Sequence, residues 1–293
     1  AFSQVEIDAT LADYSSVIAR LGKTKFTIGI LNEQAHILAF YADRAAEAIV
    51  ILQDAILVQS LTDIQRAQVK MQLADIEVLK GDIWEASLLY MQIDKDFKFE
   101  AIGDEAKYKN ARIFYFDGEF DFAQSQLNIL KESTSKIIAN DAMHLSVSIT
   151  ENFGLDSNYT AMTWFSSAEL LIEQHKYLEA FTLFDSIQLN YPLHSLADDI
   201  LYRKAKAMEM QGKWAESCML YEDIIKFYSK DIFADDALFK LGDIYEQILL
   251  DKDKALEYYK KLAIDYKGSF YGAETIKRIR ILRGDKNVED DVY

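Results

Sequence analysis

Two short stretches of the chain repeat each other and decide its fold. Residues 197–202 read Ala-Asp-Asp-Ile-Leu-Tyr, and residues 234–239, which lie 37 positions later, read Ala-Asp-Asp-Ala-Leu-Phe. A tyrosine precedes each stretch by six positions, at Tyr191 and Tyr228. Self-similarity at a period of about 20–50 residues is typical of proteins built from stacked repeats. The sequence therefore predicts a repeat architecture.

A second marker supports the same period. It begins with a turn residue, usually glycine, and reaches a small residue five positions later. The small residues are Ala86, Ala123, Ala180, Ser217 and, in a fifth copy with one extra residue, Ala255. The gaps between the first four are 37, 57 and 37 residues. Large side chains follow four positions after each of them and are expected to fill the space between neighbouring units; they are Tyr90, Leu127, Phe184, Tyr221 and Tyr259.

The composition favours helices. The 293 residues include one proline and 11 glycines, whereas average usage gives about 15 and about 20. All-β sandwiches and barrels need turn residues at short intervals, so this shortage argues against them. Half of the residues are hydrophobic and 27% are charged, which argues against wholesale disorder. Each repeat is predicted to be a pair of amphipathic helices that buries its apolar face only by stacking.

These repeats resemble the tetratricopeptide family. The family pattern of Leu-Gly followed by an aromatic residue is present at Leu241-Gly242 and Tyr245, and its turn pattern is present at Gly118, Phe120 and Ala123. The resemblance implies an all-α fold, a right-handed α-α superhelix of helix-turn-helix repeats. The chain departs from the family's preference for leucine at Asn110, Ser167 and Lys204.

The 37-residue period and the Tyr191-Pro192 pair between units resemble a narrower group. They are similar to repeats of periplasmic and outer-membrane-associated proteins of Gram-negative, Bacteroidota-type bacteria. That resemblance implies a periplasmic or outer-membrane-associated setting, and a lipoprotein anchor outside the printed sequence is compatible with it. No stretch approaches the roughly 20 apolar residues that cross a bilayer, so no transmembrane segment is expected.

The spacing of the markers divides the chain into six segments. We expect N-terminal helices with a degenerate repeat at 1–60, repeats 1–2 at 61–134, an extra helix and a joint at 135–157, repeats 3–5 at 158–267, a capping helix at 268–284 and a flexible acidic tail at 285–293.

Charge and cysteine content limit the partners. Asp and Glu number 48 against 32 Lys and Arg, which gives a net charge of −16. A surface this acidic repels phosphates, so nucleic acid is not an expected partner and anionic lipid is a poor one. The single Cys218 makes an internal disulfide impossible and is predicted to be a buried structural thiol.

No catalytic constellation is present in the sequence. The four histidines lack the spacing of paired metal ligands, and His175 is interpreted as a turn residue because glycine holds its position in other repeats. The acidic pairs Asp198-Asp199 and Asp235-Asp236 start first helices, where carboxylates stabilise the helix dipole. The sequence thus predicts no enzyme, no cofactor and no metal.

The candidate site is a groove. In the family that the chain resembles, positions 2, 5, 9, 12 and 13 of each first helix line the concave surface. Counting gives Glu105, Tyr108, Arg112 and Tyr115; Met162, Phe165, Glu169 and Ile172; Asp199, Tyr202, Lys206 and Glu209; and Asp236, Phe239, Asp243 and Glu246. The position-5 aromatics are expected either to form a ladder that anchors a partner or to pack against the neighbouring helix.

The function predicted from these features is a non-enzymatic scaffold that binds a peptide or partner segment in the groove. Its acidic ridges would select basic or polar partners, and the resemblance implies a role in envelope assembly or secretion. Two alternatives stay open. The chain is the non-catalytic helical portion of a larger envelope enzyme, as in doughnut-shaped lytic transglycosylases, or it is a glycan-binding module that uses the aromatic ladder.

Overall fold

The computed structural model describes residues 3–133, 135–153 and 159–285. The described residues form α-helices and one π-helical turn, with no strand among them, and the predicted all-α helical-repeat fold is confirmed. The helices are α1 (Gln4–Leu21), α2 (Ile28–Phe40), α3 (Ala45–Ile56), α4 (Asp63–Lys80), α5 (Ile83–Asp96), α6 (Ala101–Phe116), α7 (Phe120–Leu130), α8 (Lys136–Phe153), α9 (Tyr159–Glu173), α10 (Tyr177–Asn190), α11 (Ala197–Met210), α12 (Trp214–Phe227), α13 (Ala234–Asp243), the π-helical turn (Ile244–Ile248), α14 (Lys252–Asp265) and α15 (Gly272–Arg283).

Local sequence signals explain where these helices begin and end. Capping boxes start α1 and α4, where the Ser3 and Thr62 side chains accept hydrogen bonds from backbone amides of the first turn. Glycines with positive φ end α4 and α15, at Gly81 and Gly284. His175 has a φ of 59° and is exposed, so its interpretation as a turn residue is confirmed.

The helices form two compact units, residues 1–183 and 184–293. The division falls inside α10. The joint predicted within 135–157 stays a prediction, because residues 154–158, like the tail residues 286–293, lie outside the described residues. In the first unit each of α1 to α8 packs on the next helix along the chain, while α2 also contacts α4 and α6 also contacts α8. In the second unit α11 to α15 pack in the same sequential way.

The repeat markers form the core as predicted. All five small residues of the second marker have no exposed surface, and the five large side chains that follow them are buried. Asn110, which replaces a leucine of the family pattern, is also buried and accepts a hydrogen bond from Ser87 Oγ at 2.7 Å. The departure from the pattern is therefore satisfied by a polar pair inside the core.

The π-helical turn takes up the extra residue of the last repeat. Ala255 follows Ser217 by 38 residues rather than 37, and the wider turn at Ile244–Ile248 lies between them. Just before it, Gly242 lies against the ring of Tyr259, where an added Cβ would be only 2.4 Å from the ring. The glycine of the Leu-Gly pattern therefore allows α13 and α14, the two helices of one repeat, to approach closely.

Helix α9 departs from the regular stacking of the first unit. Its Thr163 lies beside Gly118, which follows α6, and Gln174 lies beside Gly81, which follows α4. The ring of His175 is 6.3 Å from the ring of Phe40, the last residue of α2. Helix α9 and the turn that follows it therefore lie beside the carboxyl-terminal ends of α6, α4 and α2.

Candidate functional site

The first unit contains a groove between the first helices of three successive hairpins and the extra helix α8. Its volume is about 910 Å³, and residues of α2, α4, α6 and α8 line it. Three of the predicted groove residues, Glu105, Tyr108 and Arg112, are among the lining residues. Successive first helices share one side of the unit because their small residues bring each hairpin close to the next, and this arrangement places their side chains together.

The cations of this groove are already paired with carboxylates. Lys109 Nζ lies 2.7 Å from Asp75 Oδ1 and 3.6 Å from Glu105 Oε1. Arg112 Nη2 lies 2.6 Å from Glu173 Oε1, at the end of α9. The hydroxyl of Tyr90 donates to Asp75 at 2.7 Å. Burial, reinforced by the charge of Asp75, raises the pKa of Tyr90, so the hydroxyl stays protonated and remains a donor.

Three further carboxylates around the groove, Glu33, Glu100 and Asp141, have no salt-bridge partner among the residues that the structure describes. Exposed apolar side chains line the same groove. Ile137 is 74% exposed and Ile64 is 41% exposed. Among the described lining residues five carboxylates outnumber two cations, and together with the apolar side chains they form a surface that an amphipathic partner fits.

Helix α9 packs on α6, one of the helices that line the groove. The hydroxyl of Tyr115 donates to Glu169, one turn before the Arg112–Glu173 pair. Behind these contacts is a smaller cavity of about 240 Å³ that includes Tyr90, Arg112 and Glu173 in its wall. Two carboxylates one turn apart on α9 therefore attach it to α6.

Several predicted groove residues of α6 and α9 lie in the interior instead. Phe165 has no exposed surface and Tyr115 is 1% exposed. Met162 and Ile172 are buried as well, and Glu169 is half-buried in its contact with α6. The expectation that these side chains line an open surface is corrected, because α9 packs on α6 rather than exposing the predicted face.

In the second unit the predicted ladder residues are packed between repeats. Tyr202 is 6% exposed, and its ring stacks on Phe233 with centroids 4.3 Å apart and planes inclined by 14°. Phe239, one repeat later, stacks on Tyr271 with the same distance and angle. Position 5 therefore packs against the residue that starts the next first helix. A ladder of free aromatic faces, which glycan binding requires, is not formed by these two rings.

A polar contact accompanies each stack. Glu209 accepts a hydrogen bond from Tyr221 of its own repeat, and Lys240 of the next repeat lies 3.4 Å from the same carboxylate. The same three partners recur one repeat later as Glu246, Tyr259 and Arg278. Glu209 and Glu246 were predicted as groove residues, whereas Lys240 and Arg278 were not predicted. These two cations are 38 residues apart, which is the length of the last repeat with its extra residue, so their spacing could have identified them.

The remaining predicted residues of the second unit differ in exposure. Asp199 is buried and Asp243 is half-buried, whereas Lys206 is exposed with its ammonium 5.7 Å from the Tyr202 ring centroid. Asp236 accepts a hydrogen bond from Tyr271 Oη at 2.8 Å. The hydrogen bond between Asp236 and Tyr271 is a further contact between successive repeats. Of the four groove residues predicted on α11, Lys206 is the exposed one.

The described residues provide little for other chemistry. Among them no group of three or more His, Cys, Asp or Glu side chains is arranged to hold a metal ion. Cys218 is buried, as predicted, and burial raises the pKa of its thiol to about 11. None of the described helices has both the length and the apolar character needed to cross a bilayer.

A family model matches two repeats of the second unit. It describes a tetratricopeptide repeat and matches residues 199–231, which cover most of α11 and all of α12, and residues 236–269, which cover most of α13 and all of α14. A solved tetratricopeptide repeat protein from Parabacteroides merdae ATCC 43184 is 12% identical, with a TM-score of 0.39; the match covers 96% of this chain and 93% of that one. No curated protein matches.

Proposed function

We propose that the chain is a protein-interaction scaffold and that the groove of the first unit binds a segment of a partner protein. Tetratricopeptide repeats generally mediate contacts between proteins. The observation that carries the proposal is the groove itself, in which α2, α4, α6 and α8 combine exposed apolar side chains with carboxylates that have no ion pair among the described residues. No catalytic role is part of this proposal.

Burial of the apolar lining supplies the driving force for binding. Covering an exposed isoleucine contributes about 1.5–3 kcal/mol when the whole side chain is buried, so Ile64 and Ile137 together account for a useful part of an interface. The lining helices already use their own backbone groups, and recognition therefore depends on side chains. A rigid surface of this kind loses little conformational entropy on binding.

Site-specific photo-cross-linking in cells of the source organism tests this proposal. A photoreactive side chain replaces Ile64 or Ile137 in the groove, and a matched control replaces Leu88, an exposed residue of α5 that is not among the lining residues. We expect a protein adduct from both groove positions and not from Leu88. Adducts that form only at Leu88 would contradict the assignment of the groove.

We further propose an envelope setting, in the periplasm or at the outer membrane, within assembly or secretion machinery. The support for this is the resemblance of the 37-residue repeat and of the Tyr191-Pro192 pair to those of envelope proteins. Fractionation of the source organism tests it. Recovery with the periplasmic or outer-membrane fraction is expected, and recovery with the cytoplasm would contradict it.

A further inference from the structure

The charges around the groove of the first unit do not balance. Its two cations, Lys109 and Arg112, are each held by carboxylates at 2.7 and 2.6 Å. Glu33, Glu100 and Asp141 remain without ion pairs among the described residues. A partner that brings carboxylates would add like charges to this surface, whereas a partner that brings ammonium or guanidinium groups would neutralise it.

Helix α9 shows how side chains of α6, one of the groove helices, hold a neighbouring helix. Two of its carboxylates, Glu169 and Glu173, lie one turn apart and contact Tyr115 and Arg112 of α6. An extended segment could pair its backbone only with side chains of the lining, such as Gln68, because the surrounding helices offer no free backbone groups in their interiors. A helix satisfies its own backbone and presents side chains at one-turn intervals.

We infer that the open groove of the first unit binds a basic amphipathic helix of a partner protein. Its apolar stripe lies on Ile64, Tyr108 and Ile137, and its lysines or arginines meet Glu33, Glu100 and Asp141. This inference rests on the proposed function and specifies the class of partner that the groove takes.

Three synthetic peptides test the inference with the full chain. Each has about 15 residues, the length at which an isolated helix starts to be stable. The first carries Leu at helical spacing with flanking Lys and Arg, the second replaces Lys and Arg by Glu, and the third keeps the basic composition but has a central Pro that breaks the helix. Fluorescence anisotropy measures each affinity at low and high salt.

The basic helical peptide is expected to bind at least about tenfold more tightly than either of the others. Its affinity should fall as salt screens the charges. The double variant Glu33→Gln with Asp141→Asn should weaken it by about tenfold. Its matched control is Glu216→Gln with Glu257→Gln, two exposed carboxylates of the second unit, and this control should leave the affinity unchanged.

The outcomes separate this inference from the proposed function. If the acidic or the proline peptide binds as tightly as the basic helix and the groove variant weakens it, the groove binds segments of another class and the inference is overturned. If the basic peptide binds equally to the groove variant and to its control, or does not bind, the inference is also overturned. The cross-links at Ile64 and Ile137 then decide separately whether the groove binds any partner.

Discussion

Tyr202 and Phe233 lie face to face, with ring centroids 4.3 Å apart and planes inclined by 14°. Tyr202 belongs to α11, and Phe233 is the cap residue that precedes α13 of the next repeat. Phe239 and Tyr271 repeat this relationship one unit further along. The aromatic residue at position 5 therefore joins neighbouring repeats, so its role in the second unit is structural.

Replacing Tyr202 should therefore destabilise the second unit. Tyr202→Ala removes a buried ring and is expected to cost about 3–5 kcal/mol, measured by chemical denaturation. Tyr202→Phe keeps the ring and loses only the long hydrogen bond to Asp236 at 3.4 Å, so it should cost about 1 kcal/mol or less. If the two variants lose equal stability, the stacked ring does not hold the repeats together.

Gly242 is the second position at which the repeat geometry restricts the residue. Gly242→Ala places a Cβ 2.4 Å from the ring of Tyr259 and is expected to cost about 1–3 kcal/mol through overpacking. The cost should shrink in a Tyr259→Ala background, and a double-mutant cycle measures this coupling. Gly29→Ala in α2 meets no atom within 4 Å and should be neutral or stabilise the chain by up to about 1 kcal/mol, because alanine favours the helix. Strictly additive changes at Gly242 and Tyr259 would contradict the contact.

The attachment of α9 depends on Arg112. Arg112→Gln removes the ion pair with Glu173 at 2.6 Å and is expected to lower the stability of the α9 contact by about 1 kcal/mol, because the pair is partly exposed. Hydrogen exchange of α9 measures the loss. The control variant Lys23→Gln breaks a more exposed ion pair with Asp54. It should change the free energy of exchange of the α9 amides by less than about 0.5 kcal/mol. Unchanged exchange in α9 of Arg112→Gln would show that the pair does not fasten it.

The thiol of Cys218 should be unreactive in the folded protein. Burial raises its pKa to about 11, so about one thiol in a thousand is ionised at pH 8, against about one in four at the ordinary pKa near 8.5. Alkylation at pH 8 should accelerate sharply when denaturant unfolds the chain. Fast alkylation of the folded protein would contradict the burial.

The raised pKa of Cys218 also determines the direction in which the free energy of unfolding changes with pH. Between about pH 8.5 and 11 the unfolded thiol loses its proton before the folded one does, so the folded state binds more protons. The contribution of Cys218 to the free energy of unfolding therefore falls as pH rises through this window. Cys218→Ala should remove that part of the slope in denaturation curves measured across it. An identical slope in the variant would contradict the assignment.

The sequence predicted the helical repeat well, because its markers are local. Turn residues such as Gly81 and Gly212 and small residues such as Ala86 and Ser217 act within one hairpin, where spacing alone places them. The spacing also brought Glu105, Tyr108 and Arg112 to one surface. All of these inferences depend on the position of a residue along its own helix.

The sequence predicted contacts between helices less well, because these depend on how successive units pack. Position 5 faces both the concave surface and the start of the next repeat, and spacing cannot decide between them for Tyr202. Helix α9 has the pattern of a first helix, but its Thr163 lies beside the end of α6, and the turn after α9 lies beside the ends of α2 and α4. Its carboxylates Glu169 and Glu173 fit both an exposed face and the observed contact with α6.

Hydrogen exchange of the full chain with and without the basic helical peptide tests the role of the groove most directly. The expected result is slower exchange in α4, α6 and α8, whose residues line the groove, with no change in α11 to α14. The protection should be lost in the Glu33→Gln, Asp141→Asn variant. Protection confined to α11 to α14, or equal in wild type and variant, would contradict binding in the groove of the first unit.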